Sequence, residues 1–327
     1  MAEPLIPYIQ LPEIPLSFLE HLPWIGERLD PLHPPSIKPF GTLVALGVYI
    51  GSVIAVRHAR QRSLDEKKMN EFIFWVVGAG FIGGHILDAV FYHPQRVMSD
   101  PLYLFALWDG LSSFGGFVGA LCGGLAWRLF RGQGILPMAD VIASVFPVAW
   151  VFGRAGCASV HDHPGRISDA WFAVKYPYGP GTIGRFDLGL YECLLTIPLA
   201  IAFAILWHRK PIRPVGFYLG VMCASYAPVR FALDFLREHE GTINGGDPRY
   251  AGLTPAQWAC FGLFGLGLYF LRMASRGSTP GGASGGALSE AGAASEAQRA
   301  PGLVALRSSD DDRAADAEEP AAPAAPR

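Results

Sequence analysis

PMADVIASVFPVAWVFGRAG, residues 137–156, is an apolar run of near membrane-spanning length that ends on an arginine set among small residues, Gly153-Arg154-Ala155-Gly156. A second arginine stands in the same situation within Ser225-Tyr226-Ala227-Pro228-Val229-Arg230. A guanidinium near hydrocarbon costs roughly 2.5–3.5 kcal/mol on insertion scales, so such residues face a bundle interior and mark a site that binds something. Two of them without two equally buried acids imply an external anion. A phosphodiester suits, because guanidinium forks match phosphate oxygens.

Outward from that run, further apolar stretches lie at about 40–56, 72–92, 113–130, 190–207, 214–233 and 255–273. With 137–153 they make about seven segments able to cross ~30 Å of hydrocarbon. The 327 residues are 51% hydrophobic and 17% charged, the balance of an all-α polytopic membrane protein. A net charge of −2 argues against nucleic acid as a partner. The five cysteines form no Cys-x-x-Cys pair, so neither a disulfide framework nor a thiolate metal site is indicated.

Basic residues set the orientation, since Lys and Arg in short connections prefer the cytoplasm. Arg57, Arg60, Arg62, Lys67 and Lys68 follow the first span, Arg128 and Arg131 the third, Arg209, Lys210 and Arg213 the fifth, and Arg272 and Arg276 the last. The N-terminus is thereby expected outside and the C-terminus inside, with the long connection after Arg154 forming a small external cap. Three parts are expected: a Pro- and Leu-rich interfacial segment at 1–36 with Phe18 and Trp24, a membrane domain at 37–276, and a tail at 277–327 too poor in apolar residues to order itself. Many glycines within the spans allow close helix approach. Thr254-Pro255 offers a cap for the last helix.

Tyr226, Arg230 and Asp234 fall at i, i+4 and i+8, one polar face of a helix that Pro228 could open. The plainer alternative is that Asp234 merely neutralises Arg230. After Arg154, Cys157-Ala158-Ser159-Val160-His161-Asp162-His163-Pro164-Gly165-Arg166 reads as a polar loop. His161, Asp162 and His163 are equipped to take a proton from a nucleophile. The alternatives are an inert turn and a metal site; His-x-His without a clear third ligand is a weak metal signal, and no metal or cofactor is expected. His85, Asp88 and Tyr92 share a face, as substrate contacts or as a mutually satisfied set. Ser112-Ser113-Phe114-Gly115-Gly116, after Trp108-Asp109-Gly110, lacks the Gly-x-Ser-x-Gly elbow of a serine nucleophile and suits a headgroup contact.

These residues together resemble the bacterial prolipoprotein diacylglyceryl transferase family. The likeness is carried by Asp100-Pro101-Leu102-Tyr103, Trp108-Asp109-Gly110 and Phe114-Gly115-Gly116; by Gly153-Arg154-Ala155-Gly156 up to Gly165-Arg166; by Leu190-Tyr191-Glu192; by Tyr226 to Arg237; and by Gly252-Leu253-Thr254 with Gln257. It spans residues 37–272 in consistent order. The resemblance implies a multi-pass enzyme of the bacterial inner membrane, N-terminus periplasmic. It would move the diacylglyceryl group of phosphatidylglycerol to the lipobox cysteine of a prolipoprotein signal peptide, the first step of lipoprotein maturation. Its partners would be phosphatidylglycerol, prolipoproteins and other membrane lipids.

Catalysis would rest on Arg154, Arg230, Tyr226, His161, Asp162 and His163, and substrate binding on His85, Ser113, Gly115, Gly116, Gly153, Gly165, Glu192 and Asp234. This chain departs from the family pattern in carrying Phe114 for a histidine, Phe40 for a tyrosine, His85 for an arginine, Cys157 for an asparagine and Asp162 for a glutamate. The base would then have moved to His161 or His163. The alternative is a catalytically silent or retargeted paralogue that binds phospholipid or a lipoprotein precursor. A transporter would want a continuous polar pathway, whereas the polar residues cluster toward one end of the spans.

Overall fold

A computed structural model describes residues 3–17, 36–106, 110–178, 180–210, 212–238 and 249–277. Phe18, Trp24, Trp108, Asp109 and the tail from 278 lie outside the described residues. Seven long helices carry the apolar stretches: α1 (Pro39–Gln61), α2 (Glu66–Tyr92), α4 (Ser113–Arg131), α5 (Leu136–Val160), α6 (Leu188–Arg209), α7 (Phe217–Leu233) and α8 (Pro255–Ser275), with a short α3 (Pro94–Ser99) between α2 and α4. Among the described residues, six are long and apolar enough to cross a membrane. The seventh, α4, is 19 residues, rich in glycine, with Arg128 and Arg131 in its last turn.

Local chemistry sets the helix ends. Asp65, Ser112 and Asp187 accept from backbone N–H groups at the starts of α2, α4 and α6, and Thr254 with Gln257 closes a full capping box ahead of Pro255. Gly132 ends α4 in the left-handed conformation. The fourth span extends beyond the 137–153 read from the sequence. α5 runs 25 residues and stays helical through Cys157 and Ser159, because nothing breaks it until His161 turns the chain at φ 53°.

The predicted cap is present, and it is built of strands. β4 (Pro164–Ile167), β5 (Val174–Tyr178) and β6 (Gly181–Asp187) pair antiparallel in the order β5-β6-β4, and β1 (Ile6–Pro7) adds in parallel beside β5. A separate pair joins β2 (Ile14–Pro15) to β3 (Ser36–Ile37). Residues near the start of the chain are thus sheet partners of the cap, not only a lead-in.

The basic helix ends gather at the opposite end of the bundle. Arg62 Nη1 meets the fully buried Asp140 at 2.8 Å, and Asp140 also accepts from Leu219 N–H at 2.9 Å. Trp207 donates to Gln61 at 2.6 Å and stacks on His58. These contacts tie α1, α5, α6 and α7 at one level.

Packing of α2 on α4 depends on missing side chains. A Cβ on Gly119 would sit 2.2 Å from Ala79 O, on Gly123 2.3 Å from Trp75 O, and on Gly115 2.5 Å from Gly83 O. This is a small-xxx-small seam, which lets backbones meet where hydrocarbon gives helices no hydrophobic reason to associate. Gly119→Val is therefore expected to destabilise the protein by about 1–3 kcal/mol or more. Gly78→Ala, whose methyl meets nothing within 4 Å, should be neutral. Thermal unfolding of the purified protein in detergent checks both.

Candidate functional site

Arg154 sits nearly two turns from the end of α5 and is only 6% exposed. Three helices meet at the carboxylate that balances it. Glu192 Oε1, from α6, accepts from Trp150 Nε1 at 3.0 Å and from the Tyr226 hydroxyl at 2.5 Å, and lies 3.1 Å from Arg154 Nε. Trp150 also places its ring face 4.6 Å from the guanidinium carbon, a cation–π contact. The Arg154 Nε–H is aimed off the Glu192 oxygen, so that contact is coulombic, and Nε has no hydrogen-bond acceptor among the described residues.

Arg230 is paired in its turn. Its Nη1 lies 2.9 Å from Oδ1 of Asp234, which is fully buried and shared with Arg237 at 3.6 Å. Thr254 donates its hydroxyl to the other Asp234 oxygen. The expectation of two arginines without matching acids is therefore corrected: Glu192 and Asp234 are buried beside them. α7 also runs unbroken through Pro228, ending in a 3-10 turn that begins at Asp234. Both guanidinium groups remain within electrostatic reach of the Tyr226 phenol.

Arg154 also faces a cavity. About 340 Å³ opens among α1, α2, α4 and α5, walled by apolar residues such as Val44, Val76, Phe117 and Val145, with Arg154, Gly153 and Cys157 at one end. The walls extend from Phe40 to Ala55 on α1, about 22 Å along an ideal helix and longer than half of a ~30 Å hydrocarbon core. Gly116 and Ser112 line it. Gly115 instead packs into the α2–α4 seam, and Gly165 packs under Leu236 O and Phe186. The Ser113 and Tyr92 side chains lie outside the described residues.

The residues after α5 separate into two groups. His161 is held inside the cap: Nδ1 is 2.5 Å from Asp187, Nε2 is 3.1 Å from Ile9 O, and Tyr8 stacks on the ring. Both ring nitrogens are thus engaged within the cap, and neither is turned toward the end of the cavity. His161 thereby ties the end of α5 to the cap. Tyr176 donates to the same Asp187 oxygen at 2.9 Å, and burial, reinforced by the Asp187 charge, pushes its phenol well above the ordinary tyrosine range.

His163 points the other way. Its Nδ1 is 2.5 Å from Asp162, and both are partly exposed. Asp162, His163 and Cys157 bring their polar atoms within 4.8 Å of one another, and Cys157 Sγ lies 3.8 Å from Arg154 Nη1. The two histidines of His-x-His do not form a pair; the third group beside His163 comes from the helix.

His85 is fully buried, its ring nitrogens 3.3 Å from Gly110 O and 3.0 Å from Tyr103 O. It ties down the segment between α2 and α4 and does not line the cavity. Asp88 lies 3.7 Å from His93. Phe114 is 66% exposed. The sequence reading missed Trp150 and the part taken by Cys157. Their spacing of i−4 and i+3 from Arg154 was the available signal, since such neighbours share a helix face.

The sequence model of the family described as prolipoprotein diacylglyceryl transferase matches residues 30–273 of this chain. Among similar proteins is the phosphatidylglycerol–prolipoprotein diacylglyceryl transferase of Vibrio atlanticus (strain LGP32), 31% identical over 232 residues, 69% of this chain and 83% of its own length. The protein of the same name from Vibrio parahaemolyticus is 30% identical over 228 residues, 68% of this chain and 81% of its own. That from Sinorhizobium medicae is 27% identical over 255 residues, 74% and 87%.

The two histidines separate experimentally. His161→Ala removes one partner of a buried pair and should cost roughly 3–5 kcal/mol, freeing the residues around Tyr8 and Ile9 for faster protease cleavage. His163→Ala should leave that cleavage rate unchanged. Limited proteolysis with thermal unfolding distinguishes them.

Proposed function

This chain belongs to the prolipoprotein diacylglyceryl transferase family, and we propose that its cavity and Arg154 together hold phosphatidylglycerol for diacylglyceryl transfer to a prolipoprotein cysteine. The observation that carries the reading is an apolar cavity of lipid length with a buried guanidinium at its end. The apolar walls of α1, α2, α4 and α5 enclose about 340 Å³, room for part of an acyl chain, and the phosphodiester would lie against the Arg154 guanidinium at the end of that space. A lipid-sized site of this kind needs few polar groups, each well placed.

The chemistry is displacement at the glyceryl carbon next to the phosphate. A thiolate attacks, the carbon–oxygen bond to phosphate breaks, and glycerol phosphate departs with the electron pair. Negative charge grows on the phosphate, where a preorganised guanidinium stabilises the transition state more than the ground state. Glu192, with Trp150 and Tyr226, holds Arg154 in place. Arg230 adds positive charge to the same region. Asp162 and His163 lie beside Cys157 near Arg154, which supports a part for them where the incoming thiol loses its proton.

The orientation that suits this reading puts the cap, Arg154 and the cavity's polar end at the periplasmic side of the inner membrane, and the basic helix ends in the cytoplasm. The acceptor is then the lipobox cysteine of a signal peptide.

In nanodiscs containing phosphatidylglycerol and a lipobox peptide, Arg154→Ala should lower thioether formation roughly 10²–10³-fold, the usual cost of one such donor. Gly116→Leu, which fills the cavity, should reduce lipid retention measured by native mass spectrometry. Wild-type protein that retains the lipid yet neither forms thioether nor rescues a transferase-depleted strain would instead be a silent, lipid-binding paralogue.

A further inference from the structure

Cys157, Asp162 and His163 set a thiol sulfur, a carboxylate oxygen and a ring nitrogen within 4.8 Å of one another. The fold produces this arrangement. Cys157 lies on the last turn of α5, and the left-handed turn at His161 throws Asp162 and His163 back over the helix end. His161 itself is drawn off into the cap by Asp187 and Ile9. Three chemically different ligands therefore face one point beside Arg154, at the end of the cavity that Cys157 helps to line.

We infer that Cys157, Asp162 and His163 bind a thiophilic divalent cation of the zinc class and leave its fourth position to the incoming prolipoprotein thiol. The donor set is selective: sulfur and imidazole favour zinc over calcium or magnesium, which prefer oxygen alone. Three protein ligands with one open position is the arrangement of catalytic rather than structural zinc. Charge agrees, since a thiolate and a carboxylate neutralise the dication, and Glu192 already balances Arg154. Asp162 and His163 are partly exposed, so an ion can reach them from solvent.

This inference rests on the transferase reading for its consequence. A thiol that coordinates such a cation gives up its proton outright, here to the solvent that reaches Asp162 and His163. The sulfur lone pair then forms the carbon–sulfur bond as the carbon–oxygen bond to phosphate breaks. The departing electron pair stays on the phosphate oxygen beside Arg154, and nothing is oxidised or reduced. The resulting thioether is a weaker ligand than a thiolate, which lets the product leave. The chain thereby supplies thiol activation without the family histidine that Phe114 replaces.

The test uses the full chain, stripped of metal, in nanodiscs. Titration with Co²⁺ should give a sulfur-to-cobalt charge-transfer band near one equivalent, displaced by Zn²⁺ and absent in Cys157→Ala and in His163→Ala. Chelation should lower thioether formation at least tenfold, and Zn²⁺ should restore it. The inference is overturned if no band forms, if the band persists in Cys157→Ala, or if the chelated protein turns over at the full rate. Cys157→Ser preserves side-chain size and serves if the alanine variant fails to fold. A Cys157-dependent band with no turnover in either form overturns the transferase reading instead and leaves the metal site standing, so the two failures are distinguishable.

Discussion

A buried guanidinium in a lipid-embedded bundle must be balanced, and the Glu192 carboxylate that balances Arg154 organises the centre of this protein. One oxygen collects Trp150 and Arg154 from α5 and Tyr226 from α7, while its own helix, α6, is started by the cap residue Asp187. Three helices and the cap are thereby aligned on one point. The arrangement balances the charge of Arg154 inside the protein while its Nε finds no hydrogen-bond acceptor among the described residues. A guanidinium fully enclosed by carboxylates would have little left for a phosphate, and one without any would not stay buried.

The cavity has the opposite origin, in side chains that are absent. α2 and α4 approach so closely along Ala79, Gly83, Gly115, Gly119 and Gly123 that their seam is closed. One face away, Gly80 and Gly116 meet little, and with Gly51 and Gly153 they line the open space. The same residue type thus seals one side of a helix pair and opens the other. What decides is whether a partner backbone faces it.

The cap joins these two features to solution chemistry. Asp187 serves three contacts at once: it caps α6, accepts from Tyr176 and holds His161. By drawing His161 inward it leaves His163 and Asp162 over the end of α5. A two-residue spacing that looks symmetric in sequence becomes asymmetric in space, with one histidine committed to structure and the other facing the site.

The helical bundle, the approximate span limits, the cap and the burial of Arg154 were legible in the sequence. Hydropathy and the cost of charge near lipid are local properties of the chain. Thr254-Pro255 and Gln257 likewise announced a helix start through adjacent residues alone. The partners were not legible. Glu192 is 38 positions from Arg154, and nothing local says that α6 turns its first carboxylate toward α5. His161 and His163 could not be told apart until Ile9 and Asp187 were seen to converge on one of them. Cys157 read as part of a loop, and only the extra turns of α5 with the reversal at His161 place its sulfur beside Asp162 and His163. Sequence determined which residues had to be shielded from hydrocarbon; tertiary structure decided what shields them, because that depends on which helix faces meet.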